Sequence, residues 1–197
     1  GGGALVVPAA GPLQPLRQLP GGMQLTLLSP TQAQLDRLQP RWHAACRKAG
    51  IVPGAATVAD ARQLEEGEEP AEDDDLLGDP DVARLAATPF KPDRAIPNGS
   101  SLALLAEYQG RRALLTGDAY APVLVDALAR LPGNAAGRLQ LDAVKLSHHG
   151  SRGNTSADLV RAVDCRNWLV STNGKIFHHP DGEAIARVLR DGGAGVQ

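Results

Sequence analysis

Two short apolar runs, at 143–146 and 168–170, lead into pairs of adjacent histidines, His148-His149 and His178-His179, and a third, at 112–115, leads into Thr116-Gly117-Asp118. Short apolar runs bounded by turn residues read as strands with both faces buried. The stretches between and after them, 121–131, 156–163 and 182–190, carry a helical apolar pattern, so strands alternate with helices through the second half. That order predicts helices packed on a sheet, in the mixed α/β (α+β) class. In open α/β sheets, ligands bind outside the C-terminal strand ends. Three strand ends therefore offer one carboxylate and several imidazoles to a common crevice.

The first half is less regular. Residues 1–22 are rich in Gly and Pro and read as a linker or edge segment with a short strand at 4–7. A strand at 23–28 stops at Ser29-Pro30, and Thr31 or Ser29 caps a helix over 32–38. A second helix over 41–49 ends at Gly50, with Leu35, Leu38, Trp42 and Cys46 forming its buried stripe with the first. A short helix is expected at 82–87, after which Pro89, Pro92 and Pro97 keep the chain extended. Strands at 101–108 and 112–116 flank Gln109-Gly110-Arg111 as a hairpin.

Charge is unevenly placed. The net charge is -2, but eleven of the 22 acidic residues lie between Asp60 and Asp81, beside one basic residue, Arg62. So acidic and apolar-poor a stretch cannot bury enough surface to order itself, and it reads as a mobile insertion at about 60–81. The remainder is basic, which suits either a phosphate-rich partner or an ordinary solvated surface. Cys46 and Cys165 lack any paired-ligand spacing and read as free buried thiols of a reducing compartment. No apolar run reaches membrane-spanning length, so the expectation is a cytoplasmic location without membrane contact.

Each motif carries a chemical reading and a plainer one. Asp118, at a strand tip after a glycine, either bridges divalent metals or caps the helix that begins at Ala121. His148 and His149 stand beside Gly150 and Ser151, whose loop offers N–H groups to a phosphate, so the histidines serve as ligand or proton donor. Asn154-Thr155-Ser156 reads as a helix cap with no catalytic role. His179 precedes Pro180, which biases it to an extended conformation that aims a ligand; His178 beside it falls on the substrate side with Gly150 and Ser151. His43, within the helix over 41–49, reads as an ordinary surface residue.

The succession NGSSLALLAEYQGRRALLTGD, LDAVKLSHHGSRGNTS and WLVSTNGKIFHHP resembles the C-terminal half to two-thirds of metallo-β-lactamase fold hydrolases of the kind found in ComEC-type competence proteins. The resemblance covers roughly residues 23–189 and implies an αββα sandwich. It implies a metal-dependent hydrolase, most simply of a phosphodiester in a nucleic acid or nucleotide, using a metal-activated water; other esters, thioesters and lactams stay open, as does a non-catalytic binding module. By that resemblance two divalent metals, zinc or manganese, are held with Asp118 bridging, His179 as the last ligand and His148 as a further ligand. One of His148 and His149 protonates the leaving group. The family's early HxHxDH stretch has no counterpart here. The resemblance thus implies a missing N-terminal half of the fold or a complementing chain, and a 197-residue chain inactive by itself.

Overall fold

In a computed structural model the described residues are 5–52, 81–132, 137–174, 178–193 and 195–196. The acidic stretch at about 60–81 lies outside them, except Asp81. In chain order the elements are β1 (Arg17–Gln18), β2 (Gln24–Ser29), α1 (Gln32–Ala49), α2 (Val82–Ala87), α3 (Ile96–Gly99), β3 (Ala103–Tyr108), β4 (Arg111–Leu115), α4 (Ala121–Ala129), β5 (Leu139–Gln140), β6 (Ala143–Lys145), α5 (Ala157–Arg161), β7 (Val163–Asp164), β8 (Asn167–Leu169) and α6 (Gly182–Asp191). The class is mixed α/β, as the strand and helix alternation predicts.

Six strands form one sheet in the order β1-β2-β3-β4-β6-β8, and β5 pairs with β7 in a separate two-stranded piece. β1 to β4 are antiparallel neighbours, whereas β4, β6 and β8 run parallel. That topology decides what meets at each edge. β2 runs in the same direction as β4, β6 and β8, so four strands end, and β3 begins, on one edge of the sheet. Everything discussed below as a site hangs from that edge.

The core joins Leu27, Leu105, Leu114 and Val144 of the sheet to Leu124 and Leu128 of α4. With aromatic residues at 3% of the chain, its packing falls to Leu, Val and Ala. A smaller cluster, Leu146, Val160 and Val188, seats α5 and α6 beside Trp168. Both cysteines are free and buried, as read from their spacing.

Several boundaries differ from the expectation. The two helices foreseen at 32–38 and 41–49 are one, α1, running through Pro40. Proline there removes one backbone hydrogen bond but leaves the rest of the ladder intact. Of its predicted buried stripe, Cys46 is buried and Leu35 and Leu38 are half-buried, but Trp42 is 54% exposed and Gln34 is buried instead. The β3–β4 turn holds two residues, Gln109 and Gly110, both left-handed (φ 47° and 75°), with Tyr108 paired to Arg111. Such a turn matches the strand twist, which a three-residue link would not need to. Pro97 sits in the first turn of α3 rather than in extended chain, where its missing N–H costs nothing. Of the strand expected at 4–7, Ala4 lies outside the described residues, and Val7 makes an isolated bridge to Thr31. Finally β8, parallel as expected, is an edge strand: Leu169 and Val170 are exposed, so that run is not buried on both faces.

Candidate active site

The loops that follow β4 and β6 are stitched together by their backbones. The His148 N–H donates to the Gly117 carbonyl at 2.9 Å, and Ser147 Oγ donates to the Ala119 carbonyl at 2.8 Å. Gly117 is left-handed (φ 52°), and a Cβ there would meet the Leu102 carbonyl at 2.6 Å. Only glycine fits that crossing. Asp118 follows it with its N–H donating to Ser101 Oγ at 3.0 Å, so the start of β3 fixes this loop as well. Asp118 does not cap α4: the N-cap is Tyr120, which makes no side-chain cap bond.

The Ser147–Gly150 stretch is a tight 3-10 turn with three successive left-handed residues, His148 (φ 46°), His149 (φ 56°) and Gly150 (φ 90°). Non-glycine residues are held there only where the surroundings over-determine them. Here the surroundings are the second histidine loop. A Cβ on Gly150 would come within 2.7 Å of Pro180 Cβ, and the Asp181 N–H donates to the Gly150 carbonyl at 3.0 Å. The two loops therefore interlock at glycine against proline. The His179-Pro180 bond is cis.

This interlock sorts each histidine pair. His148 and His179 turn toward one another, with ring centroids 5.2 Å apart and edge-to-face, and both line an open cavity of about 640 Å³. His149 and His178 are exposed and lie off that cavity. The His149 ring is anchored instead to the Ser171 carbonyl, and the left-handed His178 (φ 52°) gives its N–H to Gly174. Of the loop residues assigned to substrate, Ser151 lines the cavity, but its Oγ accepts from the Gly153 N–H. Gly150 acts through its shape.

Residues that sequence reasoning passed over hold His148 in place. Asn154, fully buried, donates through Nδ2 to the carbonyls of Asp118 (3.1 Å) and Ala119 (3.4 Å) and to Asp93 Oδ2 (3.1 Å). Its amide orientation is thereby set, and its Oδ1 accepts from His148 Nδ1 at 3.2 Å. With the Asn154 bond made, a neutral ring carries its proton on Nδ1 and its lone pair on Nε2; the Asn98 amide nitrogen, 3.4 Å from the same Nδ1, would call for the other tautomer. Asp93 Oδ2 stands 3.8 Å behind the same nitrogen, and Asn98 Nδ2 donates to that oxygen at 2.8 Å. Burial raises the Asp93 pKa. Bonds from the Ala95 N–H, Asn98 and Asn154, with the nearby His148, more than offset this and leave it below the usual carboxylate value. His179 Nδ1 is likewise backed by a carboxylate, Asp181 Oδ1, at 3.4 Å.

Helix capping also divides differently from expectation. Ser156 alone caps α5, accepting from the Leu159 N–H at 3.1 Å, which frees Asn154 for the site. Behind the loop, buried Arg187 of α6 donates to the carbonyls of Arg152, Thr155 and Thr88 and packs over Phe90. It clasps the Asn154 loop to the segment that carries Asp93. Lys145 lies near the Asp118 carboxylate; burial depresses its pKa, and Asp118 opposes that.

Histidines whose Nδ1 is turned to a carboxylate or amide are arranged as metal-ligating histidines commonly are. Two such imidazoles are present. Among the described residues, however, no group of three or more His, Cys, Asp or Glu stands close enough to hold a metal ion, so Asp118 does not join His148 and His179 in a complete set.

The chain is thus a mixed α/β fold with a histidine-lined crevice where its strands end. It is similar to ComE operon protein 3 of Bacillus subtilis (strain 168), 28% identical over 117 residues. That match covers 59% of this chain and 14% of the relative's length. No protein-family profile matches the chain, and no solved structure matches it. Among the described residues no helix is long and apolar enough to cross a membrane.

Proposed function

We propose that this chain is the C-terminal part of a metal-dependent hydrolase of the metallo-β-lactamase type, cleaving a phosphodiester of a nucleic acid or nucleotide. The observation that carries the reading is the pairing of His148 with His179, each backed at Nδ1 by a carboxylate, across two loops locked at Gly150 and Pro180. A binding module has no need of two imidazoles so oriented. The similarity to a ComE operon protein agrees with it. On this reading the six-stranded sheet and its helices would form one β layer, with its α cover, of an αββα sandwich.

His148, His179 and Asp118 would supply only part of the ligands of a divalent metal centre, zinc or manganese. The remaining ligands come from outside the described residues, in a further segment or a complementing chain. A bound divalent ion polarises a phosphoryl oxygen and stabilises charge in the transition state. The chain's own groups do the rest. Asn154 and Asp93 fix the His148 tautomer and steady the ring when it is protonated, so that Nε2 can ligate or pass a proton to a leaving oxygen. His149, anchored off the cavity, is the less favoured donor. The loop around Ser151 and Gly153 forms the rim on which the phosphate rests.

The test is metal content and phosphodiester hydrolysis in the protein as encoded, with and without Asp118→Ala. The reading requires stoichiometric divalent metal and a loss of roughly 100-fold or more in rate, the scale of removing a group that acts on the transition state. A metal-free protein whose hydrolytic rate Asp118→Ala leaves untouched would sink it. For this 197-residue chain alone the expectation is weak metal binding and no turnover.

A further inference from the structure

His148 Nδ1 stands between two amides that ask opposite things of it. Asn154 Oδ1, 3.2 Å away, can only accept and calls for a proton on Nδ1; Asn98 Nδ2, 3.4 Å away, can only donate and calls for a lone pair there. The first arrangement leaves the lone pair on Nε2, and the second puts the proton on Nε2. Asn98 belongs to α3, and its amide is turned this way by its bond to Asp93 Oδ2. Asn154 belongs to the loop before α5, so whatever fixes that loop bears on the tautomer.

The loop is held from α6 by Arg187. Its Nη1 donates to the carbonyls of Arg152 (2.9 Å) and Thr155 (2.8 Å), which flank Asn154, and its Nη2 donates to the Thr88 carbonyl (3.1 Å), in the segment that leads to Asp93. The guanidinium carbon lies 5.6 Å from the centroid of the Phe90 ring in the same segment, and the Asp93 N–H donates to the Gly153 carbonyl at 2.9 Å. Arg187 is 2% exposed, yet among the described residues no carboxylate stands within ion-pair distance of it; Glu183 and Asp181 act on it from farther off. A buried cation so placed is costly, and an apolar side chain of similar volume would fill the space as well or better. Bridging carbonyls of two segments is what a planar fork of donors does and an apolar side chain does not.

We infer that Arg187 is a positioning residue for His148: by clamping the Asn154 loop to the segment that carries Asp93, it makes Asn154 rather than Asn98 the partner that sets the tautomer, and so keeps Nε2 unprotonated in the neutral ring. Its bearing on catalysis rests on the hydrolase reading; the clamp itself does not.

The test is the His148 tautomer in the protein as encoded, read with chelator present from the imidazole ¹⁵N shifts about two pH units above the ordinary histidine pKa, where the ring is neutral. The parent should be chiefly the Nδ1–H form. Arg187→Lys keeps the charge but offers one ammonium in place of the fork. It should swing the ratio toward Nε2–H by on the order of 10-fold, the scale of one net hydrogen bond, with His43 and His178 unmoved. Adding Asn98→Ala to that variant removes the competing donor and should bring the Nδ1–H form back. Where Arg187→Lys fails to fold, Phe90→Leu, which takes the ring from beside the guanidinium and leaves an apolar side chain, should move the ratio the same way by at least ~2-fold. A parent in the Nε2–H form, a folded variant with an unchanged ratio, persistence of Nε2–H in the double variant, or shifts of equal size in all the histidines would overturn the inference. Absence of phosphodiesterase activity in the encoded protein would instead defeat the hydrolase reading and leave the tautomer result standing.

Discussion

The two sides of Asp93 are built on opposite principles. On the His148 side Asn154, Asn98 and Asp93 form a hydrogen-bonded network around one imidazole, Asp181 stands 3.4 Å from the other, and buried Arg187 clasps the loop from behind. On the α1 side the Gln34 amide is buried and Arg37 and Arg94 stand in solvent. A closed network fixes geometry before a ligand arrives.

Loss of Asn154 should break the contrast most severely. Asn154→Ala would take a donor from the carbonyls of Asp118 and Ala119 and from Asp93, and remove the acceptor at His148 Nδ1, costing about 3 kcal/mol in urea unfolding. Gly150→Ala comes next. Its backbone is left-handed and its Cβ would press on Pro180, so about 2 kcal/mol should be lost and the two histidine loops should separate. On the α1 side Thr31→Ala should cost only about 1 kcal/mol, the usual worth of a cap, without disturbing His148. His149→Ala, at an exposed position, should stay within about 0.5 kcal/mol.

The smallest effect lies away from Asp93. Asp142 is held below its ordinary pKa by Arg111 and by the Arg112 N–H. A depressed folded-state carboxylate stabilises above its unfolded pKa and loses that contribution as pH falls through the folded value. Asp142→Asn should therefore narrow the gap in stability between neutral and acid solution, with the two proteins converging at the acid end.

The parallel arrangement of β4, β6 and β8 was legible because short apolar runs are local signals, but the cavity at that edge is lined by His148 and His179 and not by Asp118. The inward and outward members of each histidine pair were not legible. That sorting depends on three left-handed residues and on Gly150 meeting Pro180, a contact between loops 30 residues apart. Asn154 looked like a cap because Ser156, two residues on, supplies the same chemistry for α5. Asp93 lay in a proline-rich stretch without periodicity, and only the antiparallel course of β3, which begins on the site's edge, brings its preceding segment there. Trp42 followed the helical pattern but not the burial, since a helix stripe shows which residues share a face and not whether a neighbour covers it.

His148 and His179 form one pair facing the cavity, while His149 and His178 are exposed off it. Long-range ¹H–¹⁵N correlation of the four imidazoles, recorded before and after an excess of Zn²⁺, tests this most directly. His148 should show the Nδ1–H tautomer in the neutral ring, and Zn²⁺ should shift the Nε2 resonances of His148 and His179 together, leaving His149 and His178 unmoved. Equal response of all four rings, or a response confined to the exposed pair, would contradict it.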